Sequence, residues 1–128
     1  MEESDVYGSY LDGEESRERL QESYILSREI GDKKSEALLL LILGDFFLKD
    51  KKPKRSMKCF YKALNVFSDA GDEKGEAVSR LLIGTNSFIL GDMEDSTFNY
   101  RKSIEIFRKL KDQQAEALAI DIINSLSE

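Results

Sequence analysis

The sequence predicts an all-α protein made of repeated helix pairs. Three observations carry that expectation. A heptapeptide recurs at forty-residue spacing: "GDKKSEA" from Gly31, "GDEKGEA" from Gly71 and "KDQQAEA" from Lys111. Between the copies, apolar residues recur at helical rather than strand spacing. The single proline, Pro53, falls in a break between two such stretches, where it suits the first turn of a helix.

Sliding the chain by forty aligns residues 31–70 with 71–110, and ten of forty positions are identical, including Gly31/Gly71, Ala37/Ala77, Gly44/Gly84 and Phe67/Phe107. One copied unit therefore organises the chain. Residues 1–30 form a partial first unit, 31–70 and 71–110 two full units, and 111–128 a terminal capping helix, all within one domain spanning 1–128.

The elements follow in order. Residues 13–30 match the second helix of a unit, with Leu20, Tyr24, Ser27 and Ile30 in the inward positions and Asp12 and Glu15 as a capping box. Val6 to Leu11 remains as a stub for its partner. In the first full unit Leu40, Leu43 and Phe47 mark one helix. After "KDKKPKR", Phe60, Ala63, Leu64 and Phe67 mark the next. In the second unit the break is "LGDMED", where Asp92 caps a helix whose first turn holds Glu94 and Asp95. The heptapeptide is the joint: Gly31 and Gly71 end helices in a left-handed conformation, and Asp32, Asp72 and Asp112 cap the helices that follow. About five helices of roughly 15–18 residues are expected, plus the stub, with residues 113–126 closing the stack.

Composition bounds the function. The chain has 128 residues, 41% apolar and 34% charged, enough to bury the core of one domain. A net charge of −6 argues against general binding to DNA or RNA. No signal peptide is expected, because "MEESD" is acidic where a basic region should be. No membrane span is expected either, since the longest apolar run is Ala37 to Leu43. One cysteine suits a reducing compartment, so a cytoplasmic location is expected. The half-units at the two ends suit a piece of a longer repeat protein or degenerate terminal repeats.

The full units resemble the tetratricopeptide repeat. The first gives Leu40-x2-Leu43-Gly44-x2-Phe47 and then Ser56-x3-Phe60-x2-Ala63; the second gives Ile83-Gly84 and then Ser96-x3-Tyr100-x2-Ser103. The second departs at Arg80 and Ser87, where large apolar residues are usual, and Leu81, Leu82 and Phe88 are expected to supply the bulk. Asn124 replaces the glycine in the last helix. The forty-residue period resembles that of Leu-Gly-Asn-repeat signalling scaffolds. The resemblance implies an α-solenoid of antiparallel helix pairs in a right-handed superhelix, with the first helices lining a concave groove.

By that resemblance the groove holds Leu38, Leu41, Asp45, Leu48 and Lys49, then Val78, Leu81, Thr85, Phe88 and Ile89, then Leu118, Asp121 and Ser125. Chaperone-tail binders of the family clamp a carboxylate there with lysine and asparagine. Here Leu41 and Leu81 stand in the lysine position, and Asp45 and Thr85 in the asparagine position, which argues against such a clamp. The groove suits an apolar or amphipathic peptide, with Lys49 orienting an acidic group. The function expected is a non-enzymatic protein-interaction scaffold whose partner is another protein or a peptide segment. One alternative is an assembly piece whose groove and ends are covered by a second copy or by missing repeats. Another is an adaptor for nucleic acid or an acidic partner through the basic turn Lys51, Lys52, Lys54, Arg55 and Lys58. Residues 49–62 carry a net +6, while residues 1–32 carry −7. That turn lacks interleaved aromatics on one face for stacking on bases.

Enzyme chemistry finds no constellation. Without histidine, Ser-His and Cys-His pairs cannot form. Cys59 beside Phe60 reads as a small apolar residue. No zinc-type cluster, calcium loop or phosphate-cradling glycine motif occurs. No cofactor or metal is expected. The Glu14, Glu18, Glu22 ladder reads as a solvated helix face beside Arg17 and Arg19.

Overall fold

A computed structural model describes residues 13–126 of the chain. Six helices follow one another: α1 Glu14–Ile30, α2 Lys33–Lys49, α3 Pro53–Asp69, α4 Glu73–Ile89, α5 Met93–Lys109 and α6 Gln113–Leu126. Among the described residues the fold is all-α, and each helix packs on the next. There is one helix more than the five expected, because the half-unit at each end adds one helix to the four of the full units. The stub at 6–11 and Asp12 lie outside the described residues.

The backbone repeats every twenty residues rather than every forty. Residues 31, 51, 71, 91 and 111 all have positive φ, at 76°, 59°, 72°, 85° and 57°. Each sits in the same pair of hydrogen bonds. Gly31 N–H donates to the Arg28 carbonyl and Asp32 N–H to the Ser27 carbonyl, and the same pattern recurs from Lys51 and Lys52, Gly71 and Asp72, Gly91 and Asp92, and Lys111 and Asp112. This is the Schellman closure of a helix, in which a left-handed residue lets the chain reverse and satisfies two terminal carbonyls. Glycine adopts that conformation without a Cβ penalty; Lys51 and Lys111 adopt it against one.

The next helix starts at once. Asp32, Asp72, Asp92 and Asp112 accept from the backbone N–H of Ser35, Gly75, Asp95 and Ala115 at 3.1, 2.9, 3.1 and 3.1 Å. α3 lacks a side-chain cap and instead carries Pro53 in its first turn. α1 departs from expectation. Gly13 (φ 91°) occupies its N-cap position, and Glu15 pairs with Arg19 at 3.5 Å; the expected capping box involves Asp12, outside the described residues.

Three apolar clusters form the core, each drawn from three consecutive helices. Ala37, Leu40, Ala63 and Phe67 gather with Tyr24 of α1. Phe60, Leu64 and Ile83 gather with Leu41 of α2. Ala77, Phe107 and Ala119 gather with Val78, Leu81 and Ala115. Leu40, Leu43, Phe47, Phe60, Ala63, Leu64 and Phe67 are all buried, as the periodicity predicts. Ile30, expected inward, is exposed; Ala70 and Leu110, its counterparts at forty-residue spacing, are exposed too.

Glycine is required where the two helices of a unit come closest. A Cβ on Gly84 would sit 2.7 Å from the Tyr100 ring, and one on Gly44 would overlap the Phe60 ring. The second unit also holds a polar seam where the first holds hydrocarbon. Arg80 donates to Asn99 Oδ1 at 3.1 Å, and Ser87 Oγ donates to the Asp95 carboxylate at 2.7 Å. Their counterparts are Leu40 and Phe47, and the Phe47 ring lies 4.9 Å under the Arg55 guanidinium. The pair Phe47/Arg55 has thus become Ser87/Asp95, with both members changed together.

Lys51→Gly and Lys111→Gly are each expected to stabilise the chain by a few tenths to about 1 kcal/mol, because relief of left-handed strain outweighs glycine's extra unfolded-state entropy. Gly71→Ala should destabilise by about 1 kcal/mol, and urea unfolding midpoints measure all three. Acid should also loosen the joints. The Ser35 hydroxyl and amide hold Asp32 below its usual value of 3.8, and the Ala115 amide and the Lys74 ammonium hold Asp112 below the same value. The stabilisation from a depressed carboxyl group is present above its unfolded value and lost as pH falls through the lower folded one. Asp112→Asn should therefore blunt the fall in urea midpoint below about pH 4.

Candidate functional site

The first helices of successive units, α2, α4 and α6, neighbour one another. Leu41 of α2 reaches the cluster containing Ile83 of α4, and Val78 and Leu81 of α4 share a cluster with Ala115 and Ala119 of α6. Forty-residue spacing puts Leu38, Val78 and Leu118 at one position of these three helices and Ile42, Leu82 and Ile122 at another, one turn on. Both rows are apolar in every copy. Leu38 and Ile42 are each 44% exposed, Leu118 60% and Ile89 54%.

The expected groove residues divide into two sets. Leu41, Val78 and Leu81 are half-buried and pack against core clusters. Leu48 and Phe88 are also half-buried. Thr85 donates to the Leu81 carbonyl at 3.0 Å and accepts from the Tyr100 hydroxyl at 2.8 Å. Burial raises the Tyr100 phenol above its ordinary value, while the bonds to Thr85 and Ser96 work the other way. Leu38, Ile89, Leu118, Asp121 and Ser125 are exposed. Lys49 is exposed as well and pairs with Asp45 at 3.0 Å on its own helix. The row Ile42, Leu82, Ile122 escaped the sequence reading, though its signal was present as three apolar residues at forty-residue spacing.

The basic turn is not one surface. Lys51 is the left-handed joint residue, Lys52 pairs with Asp50 at 3.1 Å, and Arg55 covers the Phe47 ring. Lys54 and Lys58 are exposed on α3. Between the start of α1 and the ends of α2 lies a cleft of about 720 Å³, lined by Arg17, Phe46, Phe47, Lys49, Asp50 and Lys52 among others.

Among the described residues no group of three or more His, Cys, Asp or Glu is placed to hold a metal ion, and no helix is long and apolar enough to cross a membrane. Glu14, Glu18 and Glu22 are exposed, with Arg17 3.4 Å from Glu14. Cys59 is half-buried, and that burial pushes its thiol above the ordinary value against the opposing charges of Lys62 and Arg55. No protein-family model matches the chain, and no curated protein matches it.

A raised, half-buried thiol is a poor nucleophile at neutral pH. Cys59 is expected to react with a disulfide reagent at pH 7 at least about tenfold more slowly in the folded chain than in urea. Stopped-flow thiol titration measures the ratio.

Proposed function

We propose that this chain is a tetratricopeptide-type repeat module without enzymatic activity, docking an apolar or amphipathic segment of another protein along the face of its first helices. One observation carries the reading: two rows of that face are apolar in all three copies, and Leu38, Ile42, Ile89 and Leu118 stay exposed on it. Contiguous exposed apolar surface marks interaction sites in folded proteins. Helices spaced by one repeat suit an occupant presenting side chains at i, i+3, i+4 and i+7. The raised thiol of Cys59 and the scattered carboxylates support a non-enzymatic role. A single half-buried cysteine also suits the reducing cytoplasm, where we place the protein.

A second reading has its own observation. α1 exposes Ile25, Leu26 and Ile30, and α6 exposes Leu118, so both ends of the described stack carry apolar side chains. A second copy covering them would make the chain an assembly piece. Sedimentation from low to high micromolar concentration separates the two, since only assembly changes the size of the free protein.

Panning a random dodecapeptide library on the folded chain tests the first reading. The enriched peptides should share an amphipathic helical pattern. They should lose binding by about tenfold or more to Leu38→Lys/Ile89→Lys, two exposed positions whose change should leave helicity intact. Enrichment indifferent to that variant would overturn the assignment of the face.

A further inference from the structure

The second helices carry a surface of different chemistry. On α3, Lys54, Lys58 and Lys62 follow one another at four-residue spacing, about 6 Å apart along the axis. Tyr61 stands beside Lys58, one turn away. At forty-residue spacing α5 places Phe98, Arg101 and Lys102 at the positions of Lys58, Tyr61 and Lys62. Both full units thus hold two cations and one aromatic at the same three outward positions, with the aromatic moved from the second position to the first.

Burial first, then the charge of Asp95 on α5, raises the Tyr61 phenol above its ordinary value, while Arg80 and Asn99 work the other way. Asn99 accepts from Arg80, whose guanidinium lies 6.0 Å from the Phe98 ring, while the Lys102 ammonium lies 5.8 Å from it. Phe98 is 52% exposed despite these neighbours. Beside it, Met93, Glu94, Thr97, Phe98 and Arg101 line a shallow recess of about 510 Å³.

Several cations elsewhere are paired. Lys49, Lys74, Arg108 and Lys109 each have a carboxylate at 3.0 Å or less. Lys54, Lys58, Lys62 and Arg101 have no acidic partner within ion-pair distance among the described residues, and Lys102 has only Glu105 at 3.9 Å. Glu94 and Glu105 mark the two ends of the positive surface on α5.

We infer that this outward face of α3 and α5 is a second docking surface, independent of the first-helix face, and that it takes an acidic polypeptide segment bearing an aromatic side chain. The unpaired lysines receive carboxylates, and the Phe98 recess, with Arg101 in its lining and the Lys102 ammonium 5.8 Å from the Phe98 ring, receives a ring. The charge distribution favours a short acidic peptide over nucleic acid. Screening confines the attraction to about 8–10 Å from the lysines. Beyond that range a longer polyanion meets a chain whose net charge is −6.

The test is fluorescence anisotropy at low salt with three labelled probes: the peptide (Glu-Glu-Tyr)4, a dodecamer of glutamate, and a dodecamer of deoxythymidylate. The tyrosine peptide should bind tightest. Lys54→Glu/Lys58→Glu/Lys62→Glu should weaken it by more than about tenfold and Phe98→Ser by about threefold to tenfold. Ile89→Lys should leave it unchanged, so failure of the first-helix reading does not disturb this result. Circular dichroism and urea midpoints confirm that the variants, all at exposed positions, remain folded. Tighter binding of the deoxythymidylate probe would overturn the proposal in favour of a nucleic-acid surface. Absence of saturation by the tyrosine peptide at millimolar concentration, or its indifference to the triple charge reversal, would overturn it outright.

Discussion

The whole architecture depends on how its helices stop. Each of the first five runs for 17 residues, about 25 Å at 1.5 Å per residue, and ends in the same Schellman closure. The residue whose carbonyl accepts the closing bond that spans five residues is Ser27, Phe47, Phe67, Ser87 or Phe107, and all five are buried. Reversal of the chain and insertion of a core side chain are therefore one event. Slipping a joint by one residue would turn the following helix by about 100° and rotate its inward residues out of the core. Uniform helix length, antiparallel neighbours and the shared inward frame all follow from that closure.

Given uniform helices, packing distance becomes the remaining variable, and small residues set it. Gly44 admits the Phe60 ring and Gly84 the Tyr100 ring. Close approach brings backbone carbonyls within reach of buried hydroxyls. Ser96 Oγ donates to the Gly84 carbonyl and Ser103 Oγ to the Ala77 carbonyl, both at 2.8 Å. The Ser96 bond is particular to the second unit: Ser56, the counterpart of Ser96, is buried with no partner for its hydroxyl among the described residues, at a cost of about 1–3 kcal/mol. The second unit extends the same logic to Arg80, Asn99, Asp95 and Ser87. It exchanges hydrocarbon contact for directional bonds, which tolerate fewer registers between α4 and α5.

The sequence revealed what apolar side chains write and concealed what backbone geometry writes. Phe60, Phe67, Leu40 and Leu43 were legible because burial of large side chains at helical spacing leaves a periodic trace. The twenty-residue period was concealed because φ leaves a trace only where glycine takes the position. At Lys51 and Lys111 the fold imposes the left-handed conformation on a residue that does not advertise it. Arg80 and Ser87 looked like gaps in a core, since a polar seam depends on partners 8 to 19 residues away. Of the candidate surface, the apolar character of Leu38, Leu41 and Leu81 was legible. The split between the exposed Leu38 and the half-buried Leu41 and Leu81 was not, because it depends on which neighbouring helix covers each residue. Phe98 carried no signal as part of a basic surface until α3 and α5 were brought together.

A stack of helices that touches only its neighbours has consequences for surface chemistry. In a closed bundle most helices bury one face and leave one outward stripe. Here the first and second helices of each unit carry free stripes of different chemistry. The first helices carry hydrocarbon at 38, 42, 78, 82, 118 and 122; the second helices carry lysine, arginine and single aromatics at 58, 61, 62, 98, 101 and 102. The core clusters close without Leu38, Ile42, Lys58 or Phe98, whereas Val78 and Leu82 of the first-helix rows pack against them. The joint fixes the register, the register aligns like positions, and aligned positions make surfaces larger than any one helix supplies.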